Sequence, residues 1–226
     1  MALALFDLDN TLIGGDSDHS WGEFLVEQGL VDSERYRAMN DQFYQDYLAG
    51  SLDIYAYLEL ALEPLSQHPM QTLQSLHRQF MCEVIEPLIL PKALNLIDRH
   101  RSAGDRLLVI TATNRFVVEP ICARLGIAEL LATEPEQLAG RYTGKVIGTP
   151  TFQAGKVTRF NSWCQQESID PAQQSYFYSD SINDLPLLEL VTVPVAVDPD
   201  PRQREVGHAR GGENISQRES AIILKI

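Results

Sequence analysis

The sequence predicts an α/β fold, a doubly wound parallel sheet with a block of helices inserted after its first strand. Three observations lead there. Short apolar runs that can be buried on both faces, Ala2–Phe6, Arg106–Ile110, Ser175–Ser179 and Val193–Val197, have the character of parallel strands. From Pro91 onward, segments of helical periodicity alternate with those runs, as helices packed on both faces of a sheet require. Between the first run and Pro91, residues 15–90 carry helix signals and few strand signals. The division that follows is a core of 1–14 with 91–226, and a helical cap of 15–90.

The first run ends in Asp7-Leu8-Asp9. In extended chain, residues two apart point to one side, so the two carboxylates share a face. Acids this close raise each other's pKa unless a cation or a shared proton intervenes, and oxygen-only donors favour a hard ion such as Mg²⁺. One reading makes Asp7 a nucleophile that forms an aspartyl-phosphate and Asp9 the acid and base beside it. The other is a strand ending in a solvated, acid-rich turn. Gly14-Gly15 then gives a turn that could act as a hinge.

The insertion reads as helices over Ser17–Gln28, Ser33–Ala49, Asp53–Leu62 and Pro69–Ile85, with Gly29 and Gly50 ending the first two. Leu73, Leu76, Phe80 and Val84 give the last one apolar face. Its aromatics, Trp21, Phe24, Tyr36, Phe43, Tyr44, Tyr47, Tyr55 and Tyr57, are expected to form mainly its own core, with some facing the cleft if it acts as a lid.

Pro91 suits the first turn of a helix that Gly104 ends. The strand Arg106–Ile110 terminates in Thr111-Ala112-Thr113-Asn114, ahead of a helix carrying Val118, Ile121, Cys122 and Leu125. A hydroxyl followed by free backbone N–H groups is an anion site, which makes Thr111 and the Ala112 backbone candidates for phosphate; the alternative is a helix N-cap. Gly140–Thr149 reads as a small hairpin-like excursion. Gly155-Lys156 opens a helix, where a cation opposes the dipole unless it meets an anion. Lys156 is thus either a bridge between nucleophile and phosphate or an exposed lysine. The run Ser175–Ser179 ends in Asp180-Ser181-Ile182-Asn183-Asp184, in which Asp180 can reach a metal shared with Asp7, Asn183 can bind phosphate, and Asp184 can support them. A short helix, the strand Val193–Val197 and a further helix after Pro201 follow, and Ala221–Ile226 could form an edge strand.

A formal charge of -13 argues against nucleic acid or an anionic membrane as partner. No signal-peptide pattern and no stretch of about 20 apolar residues is present, so a cytoplasmic protein is expected. Cys82, Cys122 and Cys164 read as reduced packing residues, and His19, His68, His77, His100 and His208 as surface or packing histidines.

Together, Asp7-x-Asp9-x-Thr11, Thr111, Lys156 and Asp180-x-x-Asn183-Asp184 resemble in order and character the four motifs of haloacid dehalogenase superfamily phosphatases, on a Rossmann-like core. The helical insertion just after the first motif resembles the phosphoserine-phosphatase-like branch. The resemblance implies Asp7 as nucleophile and Asp9 as general acid and base. It implies Mg²⁺ held by the Asp7 carboxylate, the Asp9 carbonyl and Asp180 with Asp184 in support, and a phosphoryl group held by Thr111, Lys156 and Asn183.

In that branch a carboxylate seven residues beyond the second motif aspartate binds the substrate ammonium, and here that position is Asp16. The arginine that would bind a substrate carboxylate is expected near Glu59–Ala61, where the sequence has none. An amine-bearing phosphate ester without a carboxylate therefore suits Asp16, Asp18 and Glu59, and the chain is similar to the histidinol-phosphate phosphatases of the branch. The leading expectation is L-histidinol phosphate hydrolysis in histidine biosynthesis. The alternatives are phosphoserine phosphatase, another small-metabolite phosphatase or phosphotransferase, and, remotely, a phospho-accepting signalling module.

Overall fold

A computed structural model of the chain describes residues 2–170, 173–199 and 213–217. Strand β1 (Leu3–Phe6) lies in the middle of a seven-stranded sheet. On one side stand β2 (Arg106–Asn114), β3 (Glu129–Leu138) and β4 (Arg141–Ile147). On the other stand β5 (Ser175–Ser179), β6 (Val193–Val197) and β7 (Glu213–Ile215). All neighbours are parallel except β3 with β4. All four residues of β1 are buried. Ala4 and Phe6 enter one apolar cluster with Ile97 and Val117, while Leu3 and Leu5 enter another with Phe160 and Phe177. A strand buried on both faces has no polar side to spare, so its carboxylates fall beyond its end.

Between β1 and β2 the chain forms α1 (Ser17–Glu27), α2 (Ser33–Ala49), α3 (Ile54–Gln67), α4 (Met70–Phe80), a π-helical turn over Met81–Ile85, α5 (Glu86–Leu88) and α6 (Pro91–Ser102). Asp16, Asp32 and Asp53 cap the first three through their carboxylates, satisfying amides that the first turn leaves free. The outgoing and returning strands of chain run side by side: Ile13 bridges Ile89, and the Gly14 N–H donates to the Leu88 carbonyl at 2.7 Å. After β2 come α7 (Arg115–Arg124), α8 (Ala154–Gln166) and α9 (Leu185–Leu188).

Four expectations change. β2 runs four residues past Ile110, because Thr111-Ala112-Thr113 stays extended with its hydroxyls turned to the sheet's end. The excursion expected over 140–149 is the second half of a hairpin that begins at Glu129 and turns through Ala139 and Gly140, both at positive φ. Pro135 and the alternating acids masked β3, yet Glu134 is held there by Arg115 at 2.8 Å and Arg159 at 3.1 Å. α3 continues past Leu62 in spite of Pro64, because Leu65 is fully buried. Cys82 is exposed, whereas Cys122 and Cys164 are buried; all three are free thiols. The helix expected after Pro201 and the segment Ala221–Ile226 lie outside the described residues. Among the described residues no helix is long and apolar enough to cross a membrane.

Candidate active site

β1 and β5 end side by side, next to the part of β2 that runs on from Val109 to Asn114, and the sequence motifs meet there. Lys156, in the first turn of α8, is buried and donates to Asp7 Oδ1 at 2.8 Å and to the Asp184 carboxylate at 2.7 Å. Ser179, the last residue of β5, donates to Asp184 Oδ2 at 2.7 Å. Asp184 is thereby spent on positioning Lys156, and the exposed-lysine alternative is excluded. Gly155 allows this approach: a Cβ there would overlap the Pro150 carbonyl oxygen.

Asp9 is pinned at both oxygens. The Ser17 N–H donates to Oδ1 at 2.6 Å and the Thr113 hydroxyl to Oδ2 at 2.9 Å. Thr111 is buried in β2, accepts the Thr113 N–H at 3.3 Å and faces the cleft beside Ala112. It is not the N-cap of α7, a place taken by Asn114. Thr11 donates to Asp180 Oδ1 at 3.3 Å. Asn183 is buried, accepts from Gln153 at 3.2 Å, and donates to the Tyr47 carbonyl of α2 at 3.0 Å.

The electrostatics call for a cation. Burial pushes Asp7 up to about 7; Lys156 opposes this, and Asp184 and Asp9 add to it. Asp9 is pushed up to about 7 by burial and by Asp16. Asp180 is raised well above an ordinary carboxylate by burial, Asp7 and Asp184. Burial would lower Lys156, but Asp184 and Asp7 outweigh it and hold the ammonium charged. Asp7 and Asp180 offer hard oxygen donors that repel one another, a set that fits Mg²⁺.

Above these groups α1, α2 and α3 close a cavity of about 50 Å³. At roughly 10–15 Å³ for a water, that is room for a few waters. Asp16 and Asp18 line it, with Phe43, Tyr44, Tyr47, Tyr57 and Phe152. The cap aromatics thus divide: Trp21, Phe24 and Tyr36 are core, four others face the cleft, and Tyr55, against expectation, is exposed. Two expectations fail. Glu59 is exposed and does not line the cavity, since it stands about 200° around α3 from Tyr57, which does. His19 is not a mere surface histidine: it lines the cavity and its Nε2 lies 3.1 Å from Asp41.

Thr113 and Ser179 escaped the sequence reading, and Tyr47 and Tyr57 were not singled out from the other cap aromatics. A signal existed for Thr113, which stands two residues from Thr111 as Asp9 does from Asp7, so one face of an extended chain carries both.

A family model described as haloacid dehalogenase-like hydrolase matches residues 4–189. The chain is 47% identical over 212 residues to a histidinol-phosphatase of Neisseria meningitidis serogroup C (strain 8013), covering 92% of this chain and 96% of that one. A crystal structure of a protein of unknown function from Bordetella pertussis Tohama I superposes with a TM-score of 0.91 at 42% identity, over 96% of this chain and 99% of that one. A substrate-bound phosphoserine phosphatase shares the fold with a TM-score of 0.68 at 18% identity, over 90% and 89%.

Proposed function

This chain belongs to the haloacid dehalogenase-like hydrolase family and is a phosphatase, and from that premise we propose that it hydrolyses L-histidinol phosphate to L-histidinol through an aspartyl-phosphate on Asp7. The observation that carries the reading is the charge on the alcohol side of the cleft. Asp16 and Asp18 line it, and Lys156, at the opposite end, is the one lysine or arginine among the described lining residues. A substrate carboxylate would meet acids there, whereas an amine is attracted. The relative at 47% identity is named for the same ester.

In the proposed reaction the Asp7 carboxylate attacks phosphorus, with the Lys156 ammonium offsetting the repulsion between two anions. Thr111, the Ala112 backbone and Asn183 bind the phosphoryl oxygens. Asp9, protonated near neutral pH by its burial, gives its proton to the departing alkoxide. It then takes a proton from the water that attacks the aspartyl-phosphate, releasing phosphate and restoring Asp7. Asp7, the Asp9 carbonyl and Asp180 would hold Mg²⁺, which supplies further positive charge at the phosphoryl group when bound. Residues 15–90 act as the cap that excludes water from the intermediate.

Phosphate release is to be measured on histidinol phosphate, phosphoserine and phosphoethanolamine, with Mg²⁺ and with chelator, beside Asp7→Asn. The expected result is preference for histidinol phosphate, loss with chelator, and a folded but inactive variant. Preference for phosphoserine, which the shared fold favours as the second reading, refutes the substrate; appreciable turnover by Asp7→Asn refutes covalent catalysis.

A further inference from the structure

Asp18 is in an unusual position. It is buried at 9% exposure in the first turn of α1 and faces the cavity. Its carboxylate accepts from Asn114 Nδ2 at 3.3 Å and from the Tyr57 hydroxyl, both neutral donors. The charges that act on it are Asp16 and Asp9, both negative, and together with burial they push it up to about 8. Asp7 has Lys156 and Asp16 spends an oxygen on the α1 amides, but Asp18 has no matching cation among the described residues. Burying a carboxylate in this way is unfavourable unless something else in the site offsets it.

The surroundings indicate what would. Asn114 is itself fixed as the N-cap of α7, where its Oδ1 accepts the Val117 N–H, so the amide that orients Asp18 is anchored to the core. Tyr57 packs edge-on against Phe43 at 5.5 Å, and both line the cavity. An acid beside aromatic faces suits a flat ring bearing an N–H or a positive charge. Resting on the histidinol-phosphate reading, we propose that Asp18 and Tyr57, with Asn114 behind them orienting Asp18, form a second subsite that binds the imidazole ring of the substrate. The Asp18 carboxylate accepts the ring N–H, leaving the aliphatic ammonium to Asp16. Selectivity for histidinol phosphate over smaller amine esters then resides in Asp18, a group on the cap, and not in the reacting centre.

The test compares kcat/KM for histidinol phosphate with that for phosphoethanolamine, which has the amine and the phosphate but no ring, in wild type, Asp18→Asn and Tyr57→Phe. Asp18→Asn is expected to reduce the ratio of the two by about 30-fold or more, chiefly through KM for histidinol phosphate. Tyr57→Phe is expected to reduce it several-fold. Because an unmatched acid is removed, Asp18→Asn is also expected to keep or raise its melting temperature at pH 8, which a structural role would lower. A ratio unchanged in both variants overturns the assignment while leaving the histidinol-phosphate reading intact, as does an equal loss on both substrates. A wild type that does not prefer histidinol phosphate overturns both. If Asp18→Asn does not fold, the ratio in Tyr57→Phe decides.

Discussion

Replacing Lys156 with Met tests the electrostatics on which the site depends. The ammonium lies 2.8 Å from Asp7 and 2.7 Å from Asp184, and all three side chains are almost fully buried. Removing it leaves two carboxylates in a water-poor site with no cation, a loss of about 3–5 kcal/mol when both are ionised. At about 2–4 °C per kcal/mol for a chain of this size, the melting temperature should fall by about 6–20 °C at pH 8 in metal-free buffer. The loss must depend on pH. Asp7 keeps its proton to about 7 in the fold, against 3.8 for an ordinary carboxyl. Between those values the native state binds more protons than the unfolded chain, so its stability falls as pH rises. Lys156 limits that fall; without it the decline steepens and continues above pH 7. Differential scanning calorimetry at pH 5 and pH 8 should therefore show a small difference between variant and wild type at the lower pH and a large one at the higher. Equal losses at both would mean that Lys156 acts by packing alone and would refute the argument.

The same reasoning gives further expectations. Mg²⁺ should raise the melting temperature of the wild type more at pH 8 than at pH 5, because only ionised carboxylates bind it. A hundredfold excess over Kd adds about 2.7 kcal/mol, and a shift independent of pH would count against the oxygen-donor site. Asp16→Asn removes a negative charge that helps raise Asp9, so Asp9 should lose its proton at lower pH. The alkaline limb of the pH–rate profile on phosphoethanolamine should move down, and a limb that stays in place would argue against Asp9 as the acid. Gly155→Ala should cost about 1–3 kcal/mol and also lower kcat, since relieving the overlap with Pro150 displaces the turn that carries Lys156. Unchanged urea midpoint and turnover would show that this turn yields freely.

The part of the site legible in the sequence is the part fixed by single elements. Asp7 and Asp9 follow from a strand that is apolar on both faces and then stops, and Lys156 from a cation at the wrong end of a helix. Asp180, Asn183 and Asp184 follow from an acid-rich turn after another such strand. The cap side was harder to read, because which of its aromatics face the cavity depends on how α1, α2 and α3 cross, and no local spacing fixes that. Tyr57 and Glu59 show the difficulty: two positions apart, they lie on opposite sides of α3, and the phase was set by the burial of Leu58 and Leu62. The hairpin of β3 and β4 was half visible, its turn marked by Gly140 but its first strand hidden by acids that only distant arginines explain.

The place of β1 in the sheet also governs how the chain can be made. Leu3 pairs with Arg106 on one side and Ser175 on the other, so this fully buried segment leaves the ribosome long before either of its partners. As the nascent chain lengthens, Leu3-Ala4-Leu5-Phe6 must remain unpaired while the helices that follow can already form from local contacts. This ordering leaves β1 open to aggregation until Ser175 has emerged, an interval in which a holding chaperone would raise yield.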